Sequence, residues 1–178
     1  MAGGGGVYWI TGLSGAGKTT LAEALVRRLR ADDAATVLLD GDAMRELFAD
    51  RMPQGHGRAD RLALSWGYSR LCRFLAGQGV TVVCATMSLF HEIQRWNRAT
   101  IPGYREIWLR VPLDELERRD PKGIYGRARA GAARDVVGID LAAEFPQAPD
   151  LVIDNHGSCA PDEALERIWR TLVTADHG

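Results

Sequence analysis

Gly12, Gly15, Gly17, Lys18 and Thr19 lie in the stretch Val7 to Thr20, VYWITGLSGAGKTT. Gly12, four residues, then Gly17, Lys18 and Thr19 fit the phosphate-loop pattern G-x-x-x-x-G-K-[ST]. Glycines let the backbone turn tightly and aim several N–H groups at one anion with no Cβ in the way. The loop Gly12, Ser14, Gly15, Ala16, Gly17, Lys18 and Thr19 is therefore expected to wrap a polyphosphate. Lys18 adds a mobile charge for the β- and γ-phosphates, and the Thr19 hydroxyl is a candidate Mg²⁺ ligand. The helix that begins here turns its positive end to the anion.

A second group is Asp40-Gly41-Asp42, with Arg45 three residues on. Two carboxylates around a glycine at a strand end can face phosphate and metal: Asp40 to hold a metal-bound water, Asp42 to take the proton of an attacking hydroxyl. Asp42 could instead cap a helix starting at Ala43. Arg45 is a candidate clamp for an anionic substrate or a solvated helix residue. After a third apolar run, Ser88 borders the same region, and Phe90 is either a wall of the acceptor site or a core residue. His91 has no His or Cys at ligand spacing, so it suggests no metal site. Arg95 and Arg98 read as a basic helix face. Lys122, Arg127, Arg129 and Arg134 lie in a segment punctuated by Pro and Gly, which suits a lid that closes over phosphates and excludes water.

These residues follow apolar runs at 7–11, 36–40, 80–85, 106–111 and 151–154, which are continuous and read as strands covered on both faces. Helical patterns lie between them at 18–30, 43–49, 59–78, 91–100, 113–119, 125–132 and 161–175. The alternation predicts a doubly wound α/β fold, a five-stranded parallel sheet with helices on both faces. Its ligands would sit at the carboxyl ends of the strands. Residues 1–6 read as a flexible glycine-rich lead-in and 7–178 as one phosphate-loop domain.

The chain has 178 residues, 46% hydrophobic and 25% charged, with net charge −1. That balance gives no electrostatic reason to expect nucleic acid or a membrane surface as partner. Cys72, Cys84 and Cys159 are widely spaced, and no run is long and apolar enough to span a bilayer, so a reducing cytoplasm is the simplest setting.

ITGLSGAGKTT, LLDGDAMRELF, RDPKGIYGRARAG and VVGID followed by PDLVID, in this order, resemble the adenylylsulfate kinase family of P-loop kinases. The resemblance implies phosphorylation, with ATP and Mg²⁺, of the ribose 3′-hydroxyl of a nucleotide carrying a modified 5′-phosphate. It implies that Gly15, Gly17, Lys18, Thr19 and Thr20 bind the ATP phosphates and Mg²⁺, and that Arg119 meets the ATP base. Asp40 and Asp42 would serve metal water and hydroxyl, Arg45 and Arg61 the substrate's phosphate end, and Lys122 the transferring phosphate. It also implies a possible homodimer.

The departures from the family lie on the acceptor side. Where the family has N-I-R-R after its D-R pair, here Asp60-Arg61, this chain has Leu64, Ser65, Trp66 and Gly67. Val136 stands where a lid phenylalanine stacks on the substrate adenine, and I-S-P-F-R is matched by MSLFH. The stretch MSLFHEIQRWNR is similar to a pattern of the cytidine diphosphoramidate kinases, which makes Glu92, Asn97 and Arg98 candidate acceptor contacts. A different class of function, a nucleotide-binding switch with slow hydrolysis, lacks any resemblance to a switch glutamine or an arginine-finger interface.

Overall fold

A computed structural model describes residues 5–32, 35–50, 55–157 and 161–174. Strands β1 (Val7–Thr11), β2 (Thr36–Asp40), β3 (Thr81–Ala85), β4 (Tyr104–Arg110) and β5 (Leu151–Asp154) form one sheet in the order β2-β3-β1-β4-β5. All its pairings are parallel, and β1 lies at the centre, with Trp9 opposite Cys84 on one side and Glu106 on the other. The helices are α1 (Lys18–Ala31), α2 (Gly41–Leu47), α3 (Arg58–Ala76), α4 (His91–Thr100), α5 (Leu113–Arg119), α6 (Ile124–Arg129) and α7 (Pro161–Ile168). A wider π turn, Trp169–Val173, continues α7.

The sheet carries a core on each face, as continuous apolar strands require. Val7, Trp9, Val82 and Cys84 point to the side where Leu64, Tyr68 and Cys72 of α3 and Ile93 of α4 pack. Tyr8, Ile10, Val83 and Ala85 alternate to the other side, against Leu21 and Leu25 of α1 and Ile168 of α7. Each buried valine, leucine or isoleucine among them contributes roughly 1.5–3 kcal/mol by leaving water. Helix α3 buries Leu64, Ser65, Tyr68, Ser69, Cys72 and Ala76, one stripe at helical spacing. The first half of that stripe borders the site described below.

Boundaries differ from the sequence expectation where a polar group intervenes. Helix α2 starts at Gly41, not Ala43, because the Asp40 carboxylate accepts from the N–H groups of Asp42 (3.0 Å) and Ala43 (3.3 Å). Strand β4 starts at Tyr104, since its pairing with β1 begins there opposite Val7. Gly6 already joins the sheet, its carbonyl accepting from Val82 N (2.8 Å), and Gly5 is buried. Residues 1–4, Cys159 and Ala175 lie outside the described residues.

Candidate active site

The loop after β1 is shaped by glycines that nothing else can replace. Gly12 has φ 154°, and a Cβ there would come within 2.6 Å of the Leu109 carbonyl. Gly17 has φ 90° and precedes the first residue of α1 in a left-handed conformation that a side chain resists. The Lys18 ammonium folds back onto its own loop and donates to Leu13 O (2.7 Å). Desolvation within the loop, reinforced by the charge of Lys122, lowers the Lys18 pKa to about 8. Thr20 lies beside Thr19 in the first turn of α1, and both are exposed.

Thr19 Oγ1 donates to Asp40 Oδ2 (2.7 Å), across from the first turn of α1 to the end of β2. The other Asp40 oxygen caps α2, so Asp40 and not Asp42 is the cap. Asp42, in the first turn, is left to pair with Lys122, which reaches it from the lid segment. Lys122 also adds its charge to that of Lys18, so the base candidate and both lysines share one electrostatic neighbourhood.

A cavity of about 380 Å³ opens beside this group. Ser14, Asp42 and Lys122 form its donor edge. Arg45 and Arg61 approach each other on one wall; burial, and next the charge of Arg45, lower the Arg61 pKa to about 10. Two guanidiniums lining one cavity form a place for a phosphate. On the floor, Ser65 Oγ donates to Ser88 Oγ (2.8 Å) and Ser88 lies 3.0 Å from Thr86 Oγ1, all three buried. The lid contributes Ile124, Arg127, Arg134 and Val136. Asp135 next to Val136 holds φ 61° without being glycine. A smaller cavity of about 110 Å³ shares Arg61, Met87 and Val137 with the first and is walled by Phe90 and Glu144.

The lid is tied down at its base. The Asp120 carboxylate accepts from the N–H groups of Ile124 (2.8 Å), Tyr125 (3.3 Å) and Gly126 (2.9 Å), which starts α6 at a sharp corner. Tyr125 donates its hydroxyl to Ser14 O (2.9 Å), and burial pushes its pKa up to about 12, so it stays a neutral donor. Arg119 is held by Glu115 Oε1 (2.7 Å) and by the Asn155 carbonyl (2.9 Å), which sets it beside the phosphate loop. Arg129 pairs with Glu117 (2.6 Å), outside the cavity.

Four candidate acceptor residues, Arg98, Asn97, Glu92 and Phe90, do not line the larger cavity. Arg98 grips both oxygens of Asp150 (3.2 and 3.0 Å) and lies 3.6 Å from the buried Glu106, while Asn97 is fully buried; neither lines a cavity among the described residues. Arg98 is turned to β4 and to the segment just before β5, where its cation lies beside Glu106. Glu92 lines neither cavity. Phe90 packs in the core of the α3 side, walls only the smaller cavity, and lies under the Arg58 guanidinium. His91 fastens its helix to the segment before β5, since its backbone N–H donates to Glu144 Oε2 (2.8 Å) and its Nε2 lies 3.0 Å from Phe145 O. Tyr68, Tyr125, Thr86 and Asn155 do not stand out as site residues in the sequence. Only Tyr125 carries a local signal, its place in the DPKGIY segment.

A donor loop, a paired carboxylate and an arginine-lined acceptor cavity meet at the strand ends. Residues 4–154 match the family model described as adenylylsulphate kinase. This chain belongs to the adenylylsulphate kinase family. The cytidine diphosphoramidate kinase of Campylobacter jejuni is 37% identical over 167 residues, 94% of this chain and 96% of that one. The adenylyl-sulfate kinase of Pseudomonas aeruginosa is 38% identical over 170 residues, 94% and 85% of the two chains. Among solved structures, the Mycobacterium tuberculosis APS kinase in complex with AMPPNP and APS superposes with TM-score 0.84 at 31% identity, over 95% of this chain and 98% of that one. As a family member the protein is an ATP-dependent kinase with the P-loop α/β fold, which displaces the switch reading. Among the described residues no helix is long and apolar enough to cross a membrane.

Proposed function

We propose that this protein transfers the γ-phosphate of ATP to the ribose 3′-hydroxyl of a nucleotide whose 5′-phosphate is modified, in the manner of an adenylylsulfate kinase. The observation that carries this is the Asp42–Lys122 pair, standing between the phosphate loop and the arginine-lined cavity. The acceptor hydroxyl oxygen attacks the γ-phosphorus, the bond to the β-phosphate oxygen breaks, and Asp42 takes the hydroxyl proton. Lys18 and Lys122 offset the charge that spreads over the transferring group. Arg45 and Arg61 hold the acceptor's phosphate end, and Arg119 meets the ATP base.

The closeness of Thr19 Oγ1 and Asp40 Oδ2 fits a divalent cation, with Thr19 as direct ligand and Asp40 on a coordinated water. Mg²⁺ bound there would neutralise phosphate charge. The same reading covers one kinase domain over 7–178, acting in the cytoplasm on a small nucleotide, with a homodimer as the assembly that light scattering would test.

One observation favours a different acceptor of the same kind. The lid presents Val136 and Ile124 to the cavity, neither of which has a π-face for a purine, and the floor is a chain of hydroxyls. Stacking on an aromatic ring is worth roughly 1–3 kcal/mol per base. A cytidine nucleotide read by its edge suits such a site, as does the likeness to the cytidine diphosphoramidate kinase. Incubation of the protein with ATP and adenylylsulfate or cytidine diphosphoramidate, read by product mass, decides between them. A phosphorylated product from neither, with ATP hydrolysis indifferent to both, would overturn the proposal.

A further inference from the structure

We propose that Asn155, the residue that follows β5, is a positioning residue of the ATP site and sets the direction of one phosphate-binding N–H group. Its side-chain amide donates from Nδ2 to the Ala16 carbonyl (2.8 Å), 139 residues away in the chain. Its backbone N–H donates to Arg110 O (3.0 Å) at the end of β4, and its carbonyl accepts from Arg119 Nη2 (2.9 Å). One residue thus joins the ends of β4 and β5, the last turn of α5 and the phosphate loop.

The Ala16 carbonyl and the Gly17 N–H belong to one planar trans peptide unit, so they point in opposite directions. Holding the carbonyl outward on Asn155 turns the Gly17 N–H into the loop. The first backbone bond of α1 runs from Leu21 N to Gly17 O, so the Ala16 carbonyl lies before the helix ladder and takes its hydrogen bond from Asn155. The fit is close: a Cβ on Gly17 would come within 2.7 Å of Asn155 Nδ2. Gly17 is therefore required on two counts, its φ of 90° and the seat it leaves for the Asn155 amide. Without the amide, the Ala16–Gly17 peptide loses its anchor and can rotate, which turns an N–H away from the phosphates. The effect falls on ATP and not on the acceptor, whose cavity Asn155 does not line.

This role for Asn155 rests on ATP binding in the loop and is tested by binding itself, so it does not depend on which acceptor is found. Titration calorimetry with AMPPNP and Mg²⁺ compares the parent with Asn155→Ala and Asn155→Asp. Loss of one such hydrogen bond with its acceptor left unmet corresponds to about tenfold weaker AMPPNP binding in Asn155→Ala. Asn155→Asp keeps the size, cannot donate, and sets a negative charge beside the phosphates, so it weakens binding by about a hundredfold. With an active acceptor, KM for ATP rises in parallel while KM for the acceptor stays within twofold. AMPPNP affinity within twofold of the parent in the folded variants overturns the proposal. So does a fall in Tm and kcat with unchanged affinity, since that is the mark of a purely structural residue. If Asn155→Ala does not fold, the similarly sized Asn155→Asp decides alone.

Discussion

Lys122 and Asp42 form an ion pair across 80 residues of chain, one from the lid segment and the other from the first turn of α2. The residue read as the base thus pairs with the residue read as the phosphate ligand. Bound ATP would compete for Lys122 and release Asp42 to meet a hydroxyl. Asp42→Asn keeps the shape and removes the base, so it should cut kcat by about 10²–10⁴. AMPPNP binding should change little. Single-turnover transfer at the parent's rate would remove Asp42 from the chemistry.

Lys122→Met leaves Asp42 unpaired and takes away a charge on the transferring phosphate. The expected outcome is a loss of at least about a hundredfold in kcat with the KM of the acceptor less affected. Steady-state kinetics with both substrates varied separates the two parameters.

The Lys18 pKa is lowered to about 8, against 10.5 for an ordinary lysine, because the loop desolvates it and Lys122 repels it. A bound polyphosphate restores the charged form. ATP binding near pH 8.5 should therefore take up protons, which calorimetry in buffers of different ionisation enthalpy reads directly. Near pH 6.5, where Lys18 is already charged, the uptake should vanish, and in Lys18→Met it should be absent. The sign for stability follows from linkage: the unfolded chain binds more protons than the folded one between about pH 8 and 10.5, so Lys18 makes the unliganded protein more stable as pH rises through that window. A denaturant midpoint that falls through this window in the parent relative to Lys18→Met contradicts this.

Arg98 tests the separation of scaffold from site. Arg98→Leu leaves Asp150 with only the Glu106 N–H and the buried Glu106 without its nearby cation, which should lower stability by about 1–3 kcal/mol. KM for either substrate should stay within twofold. Burial raises the Glu106 pKa, so the folded state holds its proton more tightly and stability contributed there falls as pH rises above the ordinary carboxylate range. A large rise in acceptor KM in Arg98→Leu would return this residue to the acceptor site.

Tyr125→Phe removes only the hydroxyl that ties the lid to Ser14 O. Ser14 loses a donor inside the phosphate loop, and kcat should drop by roughly three- to tenfold at a stability cost of about 1 kcal/mol. Equal kcat and thermal midpoint in the two proteins would show that the tether has no part in lid placement.

The donor half of the site is legible in the sequence because its chemistry is local. Gly12 to Thr19 are contiguous, their roles depend on backbone turns, and the strand before and helix after are read from the same stretch. Asp40 and Asp42 are also visible, but the division of labour between them is not. Which one caps α2 depends on where the helix starts, and that is settled by the reach of Asp40 to two N–H groups and to Thr19. On the acceptor side, Asn97 and Arg98 are contacts by motif, yet Asn97 is buried and Arg98 turns to β4 and the segment just before β5. Tyr68 reads as part of an ordinary helix although it borders the cavity, and Ser65 stands out in the sequence only as a departure from the family's N-I-R-R run.

The parallel sheet, the alternation of elements and the triphosphate loop are readable from the chain alone, since these rest on runs of residues that interact with near neighbours or through strand-length apolar patterns. Only the tertiary structure decides which polar groups meet. Asp42 with Lys122 and Asn155 with Ala16 are pairs 80 and 139 residues apart. No local spacing encodes such pairs. They exist because a parallel sheet brings the carboxyl ends of all its strands to one edge.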